Sequence, residues 1–177
     1  MYTSSLFIMI IPQFPKYQVN ISLFENVQNA GDIQSRVAEL PYAFIDASTI
    51  CSVEQLMAAI YRVLMESTYN RLRTKTFHSE VLLALSPSSN IGEAFKRFGV
   101  KNSTGRIIVV QINEGEAPEF DPSIVHGDSL EFKDDNLQSH CDVDFIRKIY
   151  KLDKSFEPAT TTDLSRALVD AIQLRGL

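Results

Sequence analysis

At 177 residues, with 45% hydrophobic content and only 7 Gly and 7 Pro, the chain has the size of one compact domain and not the composition of a disordered or fibrous protein. A formal net charge of −5 excludes a protein that coats nucleic acid by charge alone. No run approaches the roughly 18 consecutive apolar residues of a membrane span, and the two cysteines, Cys51 and Cys141, form neither a C-x-x-C pair nor a disulfide framework, which points to a reduced compartment, cytosol or nucleus.

Residues 6–11 are apolar at strand length and lack both a basic leader and a small-residue cleavage site, so they read as a strand and not as a secretion signal. After the turn between Pro12 and Pro15, Tyr17, Val19, Ile21 and Leu23 alternate with Gln18, Asn20 and Ser22, the pattern of a half-buried strand completing a hairpin. Asn29 is placed to cap a helix with Ile33, Val37 and Leu40 on one face, ended by Pro41, and a short strand follows over 43–46. Ser52 with Gln55 is a capping box opening a helix to about Asn70, its core face Val53, Leu56, Met57, Ile60, Val63 and Leu64.

The segment 71–100 then carries three signals. Arg71, Arg73 and Lys75 alternate with Leu72, Thr74 and Thr76, so that in extended chain the cations share a side. The apolar run 81–85 is read as a buried strand stopped by the turn cluster Ser86, Pro87, Ser88, Ser89 and Asn90. With Ser89 as its cap and Gly99 past its end, a short helix places Ile91, Ala94, Phe95 and Phe98 on one face.

Residues 107–112 are β-branched and predict a further buried strand, followed by an acidic loop over 113–128 and an edge strand around Leu130 and Phe132. Asp142 predicts a cap for a helix carrying Phe145, Ile146, Ile149 and Leu152. The threonines at 160–162 start a last helix with the stripe Leu164, Ala167, Leu168, Ala171 and Ile172, stopped at Gly176. The elements together predict an α/β (mixed α+β) fold, a single domain over 1–177, with a mixed sheet of roughly five strands packed with about five helices.

Charge is unevenly spread. From 62 to 106 eight basic residues face three acidic ones, whereas from 113 to 144 ten acidic residues face one basic. Any nucleic-acid contact is therefore expected in the first stretch, with Arg71, Arg73 and Lys75 as candidates against the plainer reading of a charged strand edge. For the chemistry of catalysis the chain offers little: no G-x-S-x-G elbow, no G-x-G-x-x-G or Walker loop, and no H-E-x-x-H or paired Cys/His pattern. His78, His126 and His140 are far apart, and His140 beside Cys141 and Asp142 is a sequence neighbourhood, not a triad. Glu80, in a buried setting, requires a partner, for which Arg73 or Lys75 is the expected ion-pair choice. The catalytic alternative would draw on Glu80, His78 and Arg73.

The strings IIPQFP, YAFIDASTICSVEQLMAAIYRVL, YNRLRTKTFHSEVLLALSPSSNIGEAFKRFGV, IRKIYKL and LSRALVDAIQLRGL, in that order, resemble the kinase-binding, CGI-type subunit of the EKC/KEOPS complex in its fungal form. The spaced pattern R-T-K-x-x-x-x-E with L-S-P-x-x-N-I-x-E-A-F-K-x-F-G carries the likeness most specifically. The resemblance implies a non-catalytic protein without cofactor, metal or small-molecule substrate. It implies direct binding and stimulation of a small atypical kinase/ATPase of PRPK/Bud type, and contact with the other subunits through it. It further implies recruitment of tRNA by its 3′ CCA end for threonylcarbamoyladenosine synthesis, a fungal role in telomere maintenance, and residence in nucleus and cytoplasm. Carried onto matching positions, it implies that Ile91, Ala94, Phe95, Phe98 and Val100 meet the kinase and that Arg71, Arg73 and Lys75 meet RNA. Residues 113–140 depart from the pattern, and no site is carried there. A stand-alone RNA-binding module and a small enzyme are the competing readings.

Overall fold

The structure is a computed structural model and describes residues 6–115, 120–152 and 160–174. Among the described residues, seven helices and a five-stranded sheet make the expected α/β fold, and all the strand pairs are antiparallel where a mixed sheet was expected. The chain divides into two compact units, each drawn from two separate stretches: Met1–Ala47 with Gly99–Phe132, and Ser48–Phe98 with Lys133–Leu177.

The first unit holds the sheet. Strands β1 (Phe7–Met9), β2 (Tyr17–Glu25), β3 (Ala43–Asp46) and β4 (Ile107–Glu114) lie in the order β1-β2-β4-β3, and β5 (Asp128–Leu130) pairs β2 beyond the end of β1. The predicted hairpin is present, with Phe7 opposite Ile21. β2 differs from the half-buried strand that its alternation suggested, because Asn20 and Ser22 are buried together with Val19, Ile21 and Leu23. Burying a side-chain amide costs free energy unless it is bonded. Asn20 meets that need in register, donating through Nδ2 to Oε1 of Gln111 at 3.0 Å on the facing position of β4.

One face of the sheet, with Phe24, Phe44, Ile107 and Val109, joins Ile33 of α1 (Ala30–Arg36), Tyr42, Phe120 and Val125 in an apolar cluster. Tyr42 meets Phe120 edge-on at 5.2 Å, a favoured aromatic geometry. Asn29 stands at the N-terminus of α1 as expected, yet its side chain makes no cap bond. It instead donates to Ile124 O and accepts from the His126 N–H, holding the loop before β5.

The second unit is helical: α2 (Val53–Thr68), α3 (Phe77–Leu85), α4 (Ile91–Phe98), α5 (Asp134–Gln138), α6 (Val143–Ile149) and α7 (Thr161–Leu174). Ser52 caps α2 through the Gln55 N–H at 3.0 Å, and the Gln55 side chain goes to Cys51 N, Thr49 O and the Tyr150 hydroxyl. Asp142 caps α6 and Thr160 caps α7 as the sequence predicted, while Gly176 lies outside the described residues.

The clearest correction is α3. Residues 81–85, read as a strand, form its C-terminal part, started by Thr76, whose Oγ1 accepts the Ser79 N–H at 3.1 Å. Residues 80 to 85 are all buried, so no polar side breaks the apolar run into a helical period. Such a run is ambiguous by period alone, and its leucines and alanine are strong helix formers.

Candidate functional site

The site grows from how α2 ends. Asn70, with φ of 54°, takes the left-handed conformation that asparagine tolerates, and the Arg71 N–H donates back to Glu66 O at 2.8 Å. The chain then runs without regular structure to Thr76. A single buried atom fixes this loop: Oε2 of Glu80, on the first turn of α3, accepts from Arg73 N at 3.1 Å, Thr74 N at 2.8 Å and Thr74 Oγ1 at 2.6 Å. The ion pair expected between Glu80 and Arg73 or Lys75 is therefore replaced by backbone amides and a hydroxyl, which desolvate less than a guanidinium and fix main chain directly.

Freed from that role, Arg71, Arg73 and Lys75 are exposed, Leu72 and Thr74 half-buried, and none of the three cations pairs with a carboxylate among the described residues. The predicted alternation of sides is kept, although no strand is formed. The Arg71 guanidinium lies 5.4 Å from the centre of the Tyr69 ring, which is 64% exposed.

Beside the loop lies a cleft of about 410 Å³. Val63 and Ala84 form its apolar part, and Arg62, Arg71, Arg73, Glu66 and Glu80 its charged part, whereas Lys75 is not in its lining. Arg62 and Glu66 were missed from sequence. They sit one turn apart on α2, with Nε and Oε1 at 3.9 Å, and Arg62 Nη1 also donates to Ile172 O of α7. The only signal for them was that 62 and 66 interrupt the apolar stripe four residues apart on the helix that leads into the basic loop.

α4 is capped by Asn90, whose Oδ1 accepts the Glu93 N–H at 3.0 Å, and not by Ser89. Its apolar stripe is split. Ile91 and Phe95 are 38% and 40% exposed, whereas Ala94 and Phe98 are buried, Phe98 edge-on to Tyr150 at 6.0 Å. Val100 is buried in the apolar cluster of the other unit. Of the five residues assigned to the kinase, two thus present a surface and three are core.

The remaining titratable groups do not converge. Burial pushes the Cys51 thiol up to about 12 and raises that of Cys141, the opposite of a nucleophile, and Oγ of Ser139, not a thiol, lies 2.7 Å from His140 Nδ1. Burial lowers His78 from 6.5 to about 4, which leaves its imidazole neutral. Among the described residues no group of three or more His, Cys, Asp and Glu is placed to hold a metal.

Cleft, basic loop and α4 surface all lie within residues 24–176, the span matched by a family model described as kinase binding protein CGI-121. The chain belongs to this family of kinase-binding proteins. Among its relatives, a Candida glabrata protein named EKC/KEOPS complex subunit CGI121 is 47% identical over 172 residues, covering 94% of this chain and 98% of the relative. Proteins of the same name from Eremothecium gossypii and Schizosaccharomyces pombe are 49% and 38% identical over 175 and 176 residues, with 94% and 95% of this chain and 97% and 99% of theirs covered. The family match begins at Phe24, within β2, so β1 lies before it.

Proposed function

We propose that this chain is the non-catalytic, kinase-binding subunit of an EKC/KEOPS assembly. In this reading it binds and stimulates the small PRPK/Bud-type kinase and helps bring tRNA, by its 3′ CCA end, to the subunit that makes threonylcarbamoyladenosine. The observation that carries the proposal is the family match across 24–176, together with full-length likeness to fungal proteins that bear this complex's name. Telomere maintenance and residence in nucleus and cytoplasm belong to the same proposal.

The kinase meets Ile91 and Phe95, two large apolar side chains one helical turn apart, and covering the two-fifths of each that still meets water contributes on the order of 1 kcal/mol each. Ala94 and Phe98, buried on the same helix, hold that surface in place. RNA meets Arg71, Arg73 and Lys75 through its phosphates, which fix position without reading a long sequence.

Co-purification with the kinase tests the first contact: Ile91→Asp and Phe95→Asp are expected to lose the kinase while remaining folded, and full retention would remove α4 from the interface. For RNA, wild-type chain is expected to prefer tRNA with its CCA end over tRNA lacking it, and Arg71→Glu/Arg73→Glu/Lys75→Glu to bind neither. Tight, steeply salt-dependent binding of any RNA by the isolated chain would favour the stand-alone module instead.

A further inference from the structure

The cleft beside the basic loop holds a carboxylate that a phosphate site has no use for. Its two glutamates are in different states. Glu80 spends its Oε2 on three bonds to the loop. Glu66, with 24% of its side chain exposed, has Arg62 Nε at 3.9 Å as its one ionic neighbour and accepts no side-chain hydrogen bond among the described residues. That separation is outside hydrogen-bond range. Glu66 therefore brings open acceptor positions to the same cavity that Arg71 and Arg73 line.

A carboxylate close to a phosphate would weaken binding by like-charge repulsion, more so in a partly desolvated cleft. The lining instead complements a ligand that is anionic at one end and rich in hydroxyl donors at the other. An RNA chain end has this form, with a phosphodiester on its 5′ side and a vicinal 2′,3′-diol at its terminus. A carboxylate accepting ribose hydroxyls is a recurrent recognition device, and the 2′-hydroxyl distinguishes RNA from DNA. The volume of about 410 Å³ falls at the small end of the roughly 300–1,000 Å³ of ligand clefts, room for one nucleoside and not for a folded helix. The Tyr69 ring beside Arg71 supplies a face for the preceding base.

We propose that Glu66 makes this cleft selective for an RNA terminus with free 2′ and 3′ hydroxyls. Phosphates rest on Arg71 and Arg73, the terminal diol donates to the Glu66 carboxylate, and a 3′-phosphorylated end is repelled. The inference rests on the proposed RNA contact of Arg71 and Arg73, which line the cleft.

The test uses three hairpin RNAs with a single-stranded CCA tail, ending in a 2′,3′-diol, a 2′,3′-dideoxynucleotide or a 3′-phosphate. Each is titrated at low salt against the full chain, assembled with its kinase where the chain alone binds too weakly. The diol is expected to bind about tenfold tighter than the dideoxy end, as for hydrogen bonds to a charged acceptor, and the 3′-phosphate more weakly still. Glu66→Gln is expected to bring the diol and 3′-phosphate RNAs to within about twofold of each other by removing the repelling charge. A purely structural Glu66 would lower all three affinities together, and that result overturns the proposal. Should the variant fail to fold, the wild-type comparison decides by itself. Equal binding of all three RNAs, with none bound by Arg71→Glu/Arg73→Glu, sinks selectivity while keeping the RNA site. Undiminished binding by that double variant sinks both.

Discussion

The loop over 71–76 and helix α4 flank α3 and expose their candidate contacts on opposite terms. In the loop, main chain is fixed by the buried Glu80 and the side chains that reach water are cations, whose exposure carries no solvation cost. In α4, the main chain is an ordinary capped helix, and what reaches water includes Ile91 and Phe95, whose exposure is unfavourable until something covers them. The comparison separates two kinds of site. One is a rigid frame that presents charge to a charged ligand, while the other is an incomplete core that a protein partner finishes.

The largest effect is expected within α4 itself. Phe98→Ala should destabilise the fold by about 3–5 kcal/mol, as for other buried phenylalanines, whereas Phe95→Ala should cost under about 1 kcal/mol. Denaturant unfolding reads both, and similar losses at the two positions would erase the division of that helix into core and contact faces. Next comes the loop's frame. Glu80→Ala leaves the part-buried Arg73 and Thr74 amides without their acceptor, a loss of about 1–3 kcal/mol in all, and amide exchange at 73 and 74 should rise above that at 83 and 84. Unchanged exchange there would mean that the loop holds its shape without Glu80.

α3 also carries a pH dependence. His78 titrates at about 4 when folded and at 6.5 as an ordinary histidine, so between these values the unfolded chain binds the extra proton. Its contribution is complete above about 6.5 and falls away as pH drops toward 4, by on the order of 2 kcal/mol once partial exposure is allowed for. Wild type and His78→Asn should therefore diverge in melting temperature across that window, and parallel curves would show that His78 is as solvated as in the unfolded chain. Smallest of all, Arg71→Glu/Arg73→Glu/Lys75→Glu should move stability by no more than about 0.5 kcal/mol, since these side chains are exposed. A larger shift would mean that the charges are structural.

Legibility from sequence followed what each residue type can signal. Capping by Ser52, Asp142 and Thr160, the hairpin and the strand predicted at 107–112 were readable because a side-chain oxygen, a two-residue period or a β-branched run specifies them locally. α3 was not, because burial on every side removes the period. The loop's cations were legible, but Glu80's true partners were not, since any backbone amide is invisible in a list of side chains. Arg62 and Glu66 enter the cleft only through where α2 ends, a fact set by the left-handed turn at Asn70.

The interleaving of the two units has a consequence for synthesis. β2 emerges early, yet its central partner β4 lies after the whole of α2, α3 and α4, and the first unit is closed only when Phe132 has been made. Until then, among the described residues, β2 has the three-residue β1 as its partner, and an apolar strand edge waits unpaired, the condition in which nascent chains associate wrongly. Loop closure across so long an insertion also favours slow assembly. A nascent chain halted before β4 should therefore depend on chaperones in a way that the finished protein does not.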